Sequence, residues 1–270
     1  MFLSLQRKII YRPTKVDKVD PEEAGLDPAR IVPLSYLTRD GLDLQGWQIL
    51  PEKPCDSIPD TILFFQGRER HRGRRGKTFQ ALTDLGLQIF VFDYRGFADN
   101  PGSPSEDHFA RDAHSLWENL TRQRNIDRNR IIIYGESLGG GVATRLASEL
   151  SLEGTPPAGL VLCATFSSLL EAGIHNYPWL PVRTVLREIY PSQDLIPGVT
   201  CPILMVHGAL DQIVPLALAE KLFAAAPPSC MNGIPKRMHI LPAAGHNDIQ
   251  HTEPENYRAA IANFLRHLKG

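Results

Sequence analysis

The chain has 270 residues, of which 43% are hydrophobic and 22% are charged. This apolar content excludes an intrinsically disordered chain, because such chains bury too little apolar surface to offset the entropy of ordering. The 29 basic and 30 acidic side chains nearly cancel, so we expect no nucleic-acid partner. The length is compatible with one α/β domain over residues 1–270.

The cysteines and the N-terminus indicate the compartment. Cys55, Cys163, Cys201 and Cys230 are widely spaced and form no Cys/His cluster, so we expect no metal ion, cofactor or disulfide framework. No run reaches the ~18 apolar residues of a membrane-spanning helix. The N-terminus has its apolar residues ahead of its charges, unlike a secretory signal. The sequence predicts a soluble cytoplasmic protein and gives no indication of its oligomeric state.

Short apolar runs alternate along the chain with helix-period segments, which is typical of strands joined by helical crossovers. A Gly-containing turn at 39–41 predicts an antiparallel hairpin at the start. The later runs are almost wholly apolar, as expected of parallel strands buried on both faces. We predict an α/β fold with about eight mostly parallel strands and helices on both faces of the sheet. The predicted strands are 31–38, 42–50, 61–65, 88–93, 130–134, 159–164, 203–207 and 237–241.

Helical patterns lie between and after these strands. Acidic residues in a first turn predict a helix from Glu106 to about Arg122. Apolar residues with a spacing of three and four predict two more helices. Their stripes are Ala143, Leu146, Ala147 and Leu150, and Tyr257, Ala260, Ile261, Phe264, Leu265 and Leu268.

The segment 166–200, here called the inserted segment, is longer than a crossover between two strands requires. Long insertions at strand ends are often binding elements, so we predict a short cap over a cleft. The alternative is a crossover helix followed by a solvated loop. If the cap hypothesis is correct, Phe166, Tyr177 and Trp179 contact the substrate.

The most informative motif is G-x-S-x-G at 135–139, between an apolar strand and a helix rich in small residues. A serine on such a tight turn has strained dihedral angles, and its crowded neighbours must lack a Cβ. The turn exposes the Ser137 hydroxyl and directs the Leu138 amide toward an oxyanion. The alternative is a glycine-rich turn with an incidental serine.

A serine nucleophile needs a base that takes its proton and a third group that orients the base. In this architecture the acid and then the histidine follow the serine, each after a later strand. Asp211 follows the run 203–207, and His246 follows 237–241. We therefore predict Ser137 as nucleophile, His246 as base and Asp211 as the orienting acid.

Other residues have weaker claims. Asp248 and Asp194 are alternative acids, whereas His207 is interpreted as a packed core histidine. The second oxyanion donor should lie in the loop after the third strand. There Gly67 permits close approach of the backbone to the substrate, and Arg68 or Gln66 supplies the amide.

With these residues in place, the chain resembles serine hydrolases of the α/β-hydrolase superfamily over nearly its whole length. It is most similar to the branch that includes membrane-anchored protein depalmitoylases and bacterial esterases. The resemblance implies acyl-enzyme chemistry by Ser137, His246 and Asp211. It also implies an oxyanion hole at Leu138 and the Arg68 region. The matching segments are 6–13, 93–96, 102–106, 135–140, 177–181, His207-Gly208 with Asp211, and Gly245-His246.

The chain departs from the pattern of that branch at three places. Gln66-Gly67-Arg68 replaces the usual His-Gly followed by a small residue or Asn. Ala98 and Asn100 stand where Gly and Ser are usual. We expect no counterpart of the transmembrane anchor that is common in eukaryotic members, which weakens the case for membrane-protein substrates.

The loop 68–77 contains six basic residues and one acid, directly after the predicted oxyanion strand. Charge runs are usually solvated and mobile. The alternative is a positive field that attracts an anionic ester at the rim of the site.

Three functions are compatible with these observations. The first is hydrolysis of a small-molecule carboxylic ester or thioester, neutral or anionic, through Ser137. The second is peptidase or amidase chemistry by the same residues. The third is a non-catalytic binding protein with this fold, for which the unusual loop after the third strand is the support.

Overall fold

The computed structural model describes residues 2–54, 60–68 and 70–268, so Cys55 and Glu69 lie outside the described residues. Strands and helices alternate through most of the chain. The strands are β1 Ile31–Leu37, β2 Asp43–Ile49, β3 Thr61–Phe65, β4 Gln88–Phe92, β5 Ile131–Glu136, β6 Gly159–Cys163, β7 Ile203–Gly208 and β8 Arg237–Leu241. The helices are α1 Phe2–Tyr11, α2 Gly76–Thr83, α3 Glu106–Glu118, α4 Leu138–Leu152, α5 Leu169–Asn176, α6 Val182–Val185, α7 Ser192–Leu195, α8 Leu216–Ala225, α9 Ile249–Thr252 and α10 Pro254–His267.

The strands form one eight-stranded sheet in the order β1-β2-β4-β3-β5-β6-β7-β8. β1 and β2 pair antiparallel, as do β2 and β4, whereas all later pairs are parallel. The predicted strands and the initial hairpin are confirmed. The strand ends differ from the prediction by at most two residues, because apolar periodicity does not mark where the hydrogen bonding between strands stops.

The sheet separates two apolar cores because successive side chains of a strand point to opposite faces. In β3, Leu63 and Phe65 pack in the core that includes residues of α3 and α4. Ile62 and Phe64 pack in the core that includes residues of α2 and α10. Helices therefore cover both faces, as predicted.

The helices follow their predicted stripes. The apolar residues predicted for the helix after Gly139 are buried in α4, and those of the C-terminal stripe up to Leu265 are buried in α10. α3 ends at Glu118, earlier than the expected Arg122, and its last turn widens into a π-helical turn at Asn119–Gln123.

The inserted segment follows β6 directly and folds into α5, α6 and α7. The N-terminal helix α1 packs against it through polar contacts. Gln6 Nε2 donates to the Val185 carbonyl at 2.7 Å, and its Oε1 accepts from the Arg187 amide at 2.9 Å. The Tyr11 hydroxyl donates to Glu188 Oε2 at 2.6 Å. The first helix is thereby held beside the end of the sheet where β5 and β6 terminate.

Within the described residues, no helix has the combined length and apolar character needed to cross a bilayer.

Candidate active site

Ser137 lies on a sharp turn between β5 and α4, with φ of 53° and ψ of −118°. A serine with positive φ is strained, and such strain persists only where the surrounding structure imposes it. The flanking glycines explain how the turn is built. A Cβ on Gly135 would lie 2.5 Å from the Gly139 carbonyl oxygen, and one on Gly139 would lie 2.1 Å from that of Phe65. Both positions of the motif therefore require glycine.

The three residues predicted to act together do meet in space. His246 Nε2 lies 2.9 Å from Ser137 Oγ, and His246 Nδ1 lies 2.7 Å from Asp211 Oδ2. Asp211 follows β7 and His246 follows β8, so both reach the edge of the sheet at which β5 presents the serine. The Asp211 side chain is fully buried, and that of His246 is 9% exposed.

The Asp211 carboxylate is held by four groups. Its Oδ1 accepts hydrogen bonds from the amides of Ile213 at 2.9 Å and Val214 at 2.8 Å. Its Oδ2 faces His246 and also lies 3.3 Å from His207 Nε2. Burial alone would raise the pKa of the Asp211 carboxyl, but hydrogen bonds from His207 and His246 outweigh it. The pKa of this carboxyl therefore lies well below its usual range, and the group stays ionised.

The contact between His207 and Asp211 is a feature that the sequence did not reveal. His207 is buried in β7 as predicted, and its Nε2 also lies 2.8 Å from the Val214 carbonyl. The i, i+4 spacing of His207 and Asp211 is the only signal that would have suggested it. Asp248, the alternative acid, accepts a hydrogen bond from the Gly245 amide at 2.6 Å and so shapes the turn before His246.

The predicted oxyanion residues do not all lie beside Ser137 in the structure. Leu138 is the first residue of α4, where unpaired amides carry partial positive charge. Gly67 lies directly against the nucleophile, since a Cβ on it would be 3.2 Å from Ser137 Cβ. Arg68 and Leu138 line the same cavity as Ser137.

Gln66 differs from this expectation, because it is fully buried and does not line that cavity. Its Nε2 donates to Asp93 Oδ1, and its carbonyl accepts from the Tyr94 hydroxyl at 2.8 Å. Asn100, another departure from the family pattern, donates to the Asp93 carbonyl at 2.6 Å. Gln66 and Asn100 thus stabilise the loop that follows β4 through hydrogen bonds to Asp93 and Tyr94.

A cavity of about 430 Å³ opens beside Ser137. The inserted segment and α1 supply most of its wall, and most of the lining side chains are apolar. Phe166 and Tyr177, two of the predicted substrate contacts, line it. The other main lining residues are Ile9, Ile10, Leu169, Ala172, Leu180, Val182, Val185, Leu186, Ile213 and Val214. We call it the apolar cavity.

Sequence models of two families match the chain. That of serine aminopeptidase, S33, matches residues 57–193, about half of the chain. That of the prolyl oligopeptidase family matches residues 173–270. Uncharacterized protein Rv2307c of Mycobacterium tuberculosis is 40% identical over 266 residues, covering 98% of this chain and 89% of that protein. The chain belongs to the α/β-hydrolase superfamily.

More distant proteins agree with this assignment. Lysophosphatidylserine lipase ABHD12 of Danio rerio is 28% identical, with 85% of this chain and 69% of that protein covered. An α/β hydrolase from Vibrio vulnificus superposes with a TM-score of 0.78 at 18% identity, covering 97% and 93% of the two chains. The Pyrococcus furiosus esterase Pf2001 gives 0.67 at 17%, covering 96% and 97%. The solved structures establish the fold of this α/β-hydrolase.

Trp179 does not occupy the place expected of it in this α/β-hydrolase. It is not among the residues that line the apolar cavity, and it is 75% exposed. Its ring meets that of Tyr177 edge-on at a centroid distance of 6.2 Å. The predicted substrate contact therefore lies on the outer rim, because the backbone of the inserted segment turns Tyr177 inward and the residue two positions later outward.

The loop 68–77, here called the basic loop, is exposed only at some of its residues. Arg72 is buried between Asp93 and Asp99, and Arg75 is buried against Glu136. The expectation of a solvated charge run is wrong for these two arginines. Each finds a carboxylate contributed by a distant part of the chain, and pairing makes the burial of charge tolerable.

A second cavity, of about 500 Å³, lies on the other side of His246. We call it the polar cavity. Its wall includes Arg74 and Lys77 from the basic loop and Asn247 and His251 from the segment after β8. Among the described residues, no group of three or more His, Cys, Asp or Glu is arranged to hold a metal ion.

Proposed function

We propose that this α/β-hydrolase cleaves carboxylic esters or thioesters of apolar acyl groups through a Ser137 acyl-enzyme. One observation carries the proposal. The Ser137 hydroxyl lies 2.9 Å from the His246 imidazole and lines the apolar cavity. An acyl chain in that cavity would bring its carbonyl carbon to the hydroxyl, which is the geometry that acyl transfer requires.

The first half-reaction forms the acyl-enzyme. His246 Nε2 takes the Ser137 proton as Oγ attacks the carbonyl carbon, and Asp211 stabilises the imidazolium that results. The carbonyl oxygen becomes an oxyanion, for which the backbone amides of Leu138 and Arg68 are the proposed donors. The carbon–oxygen or carbon–sulfur bond then breaks, and His246 returns the proton to the leaving alcohol or thiol.

The second half-reaction releases the acid. A water molecule gives one proton to His246 Nε2 and attacks the acyl carbon with its oxygen. The tetrahedral intermediate collapses, the bond from the carbon to Ser137 Oγ breaks, and the proton returns to Ser137. The acyl chain leaves as a free carboxylic acid.

The two cavities support a division of the substrate between acyl chain and leaving group. The volume of the apolar cavity is within the ~300–1,000 Å³ usual for small-molecule sites. The polar cavity, beside the base that protonates the leaving group, suits a polar or anionic alcohol. The relative ABHD12 is named a lysophosphatidylserine lipase, and such a lipid has both an acyl chain and a polar, anionic headgroup.

Peptidase or amidase chemistry is the second candidate, and the matched family models favour it by their names. An aminopeptidase holds the substrate's cationic amine, usually with a carboxylate. Among the described residues that line the apolar cavity there is no Asp or Glu. This composition favours an acyl chain over a peptide N-terminus.

The reducing cytoplasm remains our proposed location. Cys163, Cys201 and Cys230 are free and buried thiols, which supports it.

Substitution of the nucleophile tests the proposal. Ser137→Ala should lower the turnover of nitrophenyl esters by about 10⁶ and abolish labelling by a fluorophosphonate probe. The matched control is Ser151→Ala, near the far end of α4, which should keep labelling and turnover. Undiminished activity of Ser137→Ala would contradict the mechanism. A wild-type protein that neither reacts with the probe nor hydrolyses any ester would support the hypothesis of a non-catalytic binding protein.

A panel with one acyl group then separates ester from amide chemistry. We expect esters and thioesters of an apolar acid to be cleaved faster than the anilide of the same acid. Preference for an aminoacyl anilide would instead support the peptidase candidate.

A further inference from the structure

The mouth of the apolar cavity is surrounded by exposed apolar side chains. Ile9, Leu180 and Ile213 all line the cavity, yet they are 53%, 43% and 37% exposed. Trp179 stands beside them at 75% exposure. We call these four residues the mouth patch. Apolar side chains gathered in this way, unlike singly exposed ones, mark an interaction surface.

The charges on the same elements are unbalanced. Residues 2–12 and 166–190 contain the basic residues Arg7, Lys8, Arg12, Arg183 and Arg187, against the acids Glu171 and Glu188. Both acids are engaged within the fold. Glu188 is buried and accepts from Arg7 and Tyr11, and Glu171 pairs with Lys221.

Three of the cations on these elements are exposed to solvent, namely Lys8, Arg183 and Arg187. The mouth patch is thus bordered by three exposed cations against one partly exposed acid, Glu171, which pairs with Lys221 and also interacts electrostatically with Arg183.

We propose that the mouth patch docks on the surface of an anionic phospholipid bilayer. Trp and apolar side chains partition into the region between headgroups and acyl chains, and basic residues beside them are attracted to anionic headgroups. The apolar cavity opens at this patch, so an acyl chain would pass from the bilayer into it without crossing water. Docking itself does not require the chemistry proposed for Ser137.

Tryptophan fluorescence offers a direct measurement, because the chain has three tryptophans. Trp47 and Trp117 are buried, at 2% and 4% exposure, whereas Trp179 is exposed. A blue shift on addition of vesicles would therefore report on Trp179. We expect this shift with vesicles of equal parts phosphatidylglycerol and phosphatidylcholine. Trp179→Phe should remove the shift and leave the emission of the buried residues. Absence of any shift in the wild type would overturn the proposal.

Co-sedimentation with the same vesicles tests both components of the surface. Trp179→Asp should weaken binding by at least about tenfold, because the apolar contact is replaced by a charge. Arg183→Glu with Arg187→Glu should also weaken it by at least about tenfold, since each basic residue near such a surface contributes ~1 kcal/mol.

Two matched controls separate docking from general changes in charge or hydrophobicity. Leu152→Asp changes an 81% exposed apolar residue at the opposite end of α4 from Ser137. Arg122→Glu changes an exposed arginine in the π-helical turn after α3. Both controls should bind as the wild type does. Equal losses in the controls, or equal binding to pure phosphatidylcholine vesicles, would overturn the proposal.

Further measurements distinguish docking from catalysis and from self-association. Ser137→Ala should bind vesicles like the wild type, so failure of the esterase assignment leaves this result intact. Trp179→Asp should keep the wild-type rate on a short water-soluble ester but lose activity on a lipid ester in vesicles.

Sedimentation velocity should give the same species for wild type and Trp179→Asp. A dimer that Trp179→Asp dissociates would instead assign the patch to a second copy of the chain.

Discussion

Two cavities of comparable volume, about 430 and 500 Å³, adjoin the Ser137–His246 pair and differ in almost every other respect. The apolar cavity is walled by α1 and the inserted segment. The polar cavity is walled by the basic loop and the segment after β8. The sheet and its strand ends provide the common centre. Two separate loop systems thus surround one fixed arrangement of Ser137 and His246.

The difference also concerns how each wall is stabilised. The apolar wall depends on packing and on a few hydrogen bonds from α1, such as those of Gln6. The polar wall depends on buried ion pairs, in which Arg72 and Arg75 are matched with carboxylates. A change of size should therefore affect the first wall most, and a change of charge the second.

The largest effect should come from the centre that both cavities share. Asp211→Asn keeps the shape of the side chain but removes the charge that orients His246, so kcat should fall by about 10⁴ for every ester. The loss should be equal for esters that differ in their acyl chain and for esters that differ in their leaving group. Asp248→Asn, which alters only the acceptor for the Gly245 amide, is the control and should lose far less. Steady-state kinetics decides between these outcomes, and equal losses would contradict the assigned roles.

The next effect concerns the stability of the polar wall. Arg72→Met leaves the buried Asp93 carboxylate without its cation, which should lower the free energy of unfolding by about 3–5 kcal/mol. The control Arg74→Met removes a 66% exposed arginine, and it should change stability by less than about 0.5 kcal/mol. Urea denaturation measures both. Similar midpoints for the two variants would refute the structural role of Arg72.

A change of size should act on the apolar wall. Ala172→Phe adds a ring to a buried position of α5 that lines the apolar cavity. We expect kcat/KM for long-chain esters to fall roughly tenfold to hundredfold, with a smaller loss for acetyl esters. Ala217→Phe, on the exposed face of α8, is the matched control. A uniform loss across chain lengths would separate this cavity from acyl binding.

The smallest effect should come from the exposed cations of the polar wall. Arg74→Glu with Lys77→Glu should reduce kcat/KM for esters with an anionic leaving group by about two- to fivefold. Neutral esters should change little, and added salt should diminish the difference because it screens exposed charges. An equal effect on neutral and anionic esters would remove the steering hypothesis.

The features predicted from the sequence are those that a local pattern encodes. Apolar runs identified the strands, and glycines on both sides of Ser137 identified the turn. The positions of Asp211 and His246 followed from their place just after two such runs. In each case neighbouring residues carry the physical cause, whether alternation of burial or the absence of a Cβ.

The features that escaped prediction depend on partners distant in the chain. Arg75 and its carboxylate Glu136 are 61 positions apart, and nothing near Arg75 indicates that it will be buried. The side-chain amide of Gln66 donates to Asp93, which is 27 positions later, and so does not face the apolar cavity. The outward direction of Trp179 depends on the path of the backbone through the inserted segment. A single sequence does not reveal such pairings.

The contact between Gln6 and Val185 spans 179 positions and has a consequence for biosynthesis. A ribosome adds ~5–20 residues per second, so about 10–35 s separate the emergence of these two partners. During that interval α1 has no groove to occupy, and Ile10 remains exposed. The first part of the apolar wall to be translated is thus among the last to be assembled.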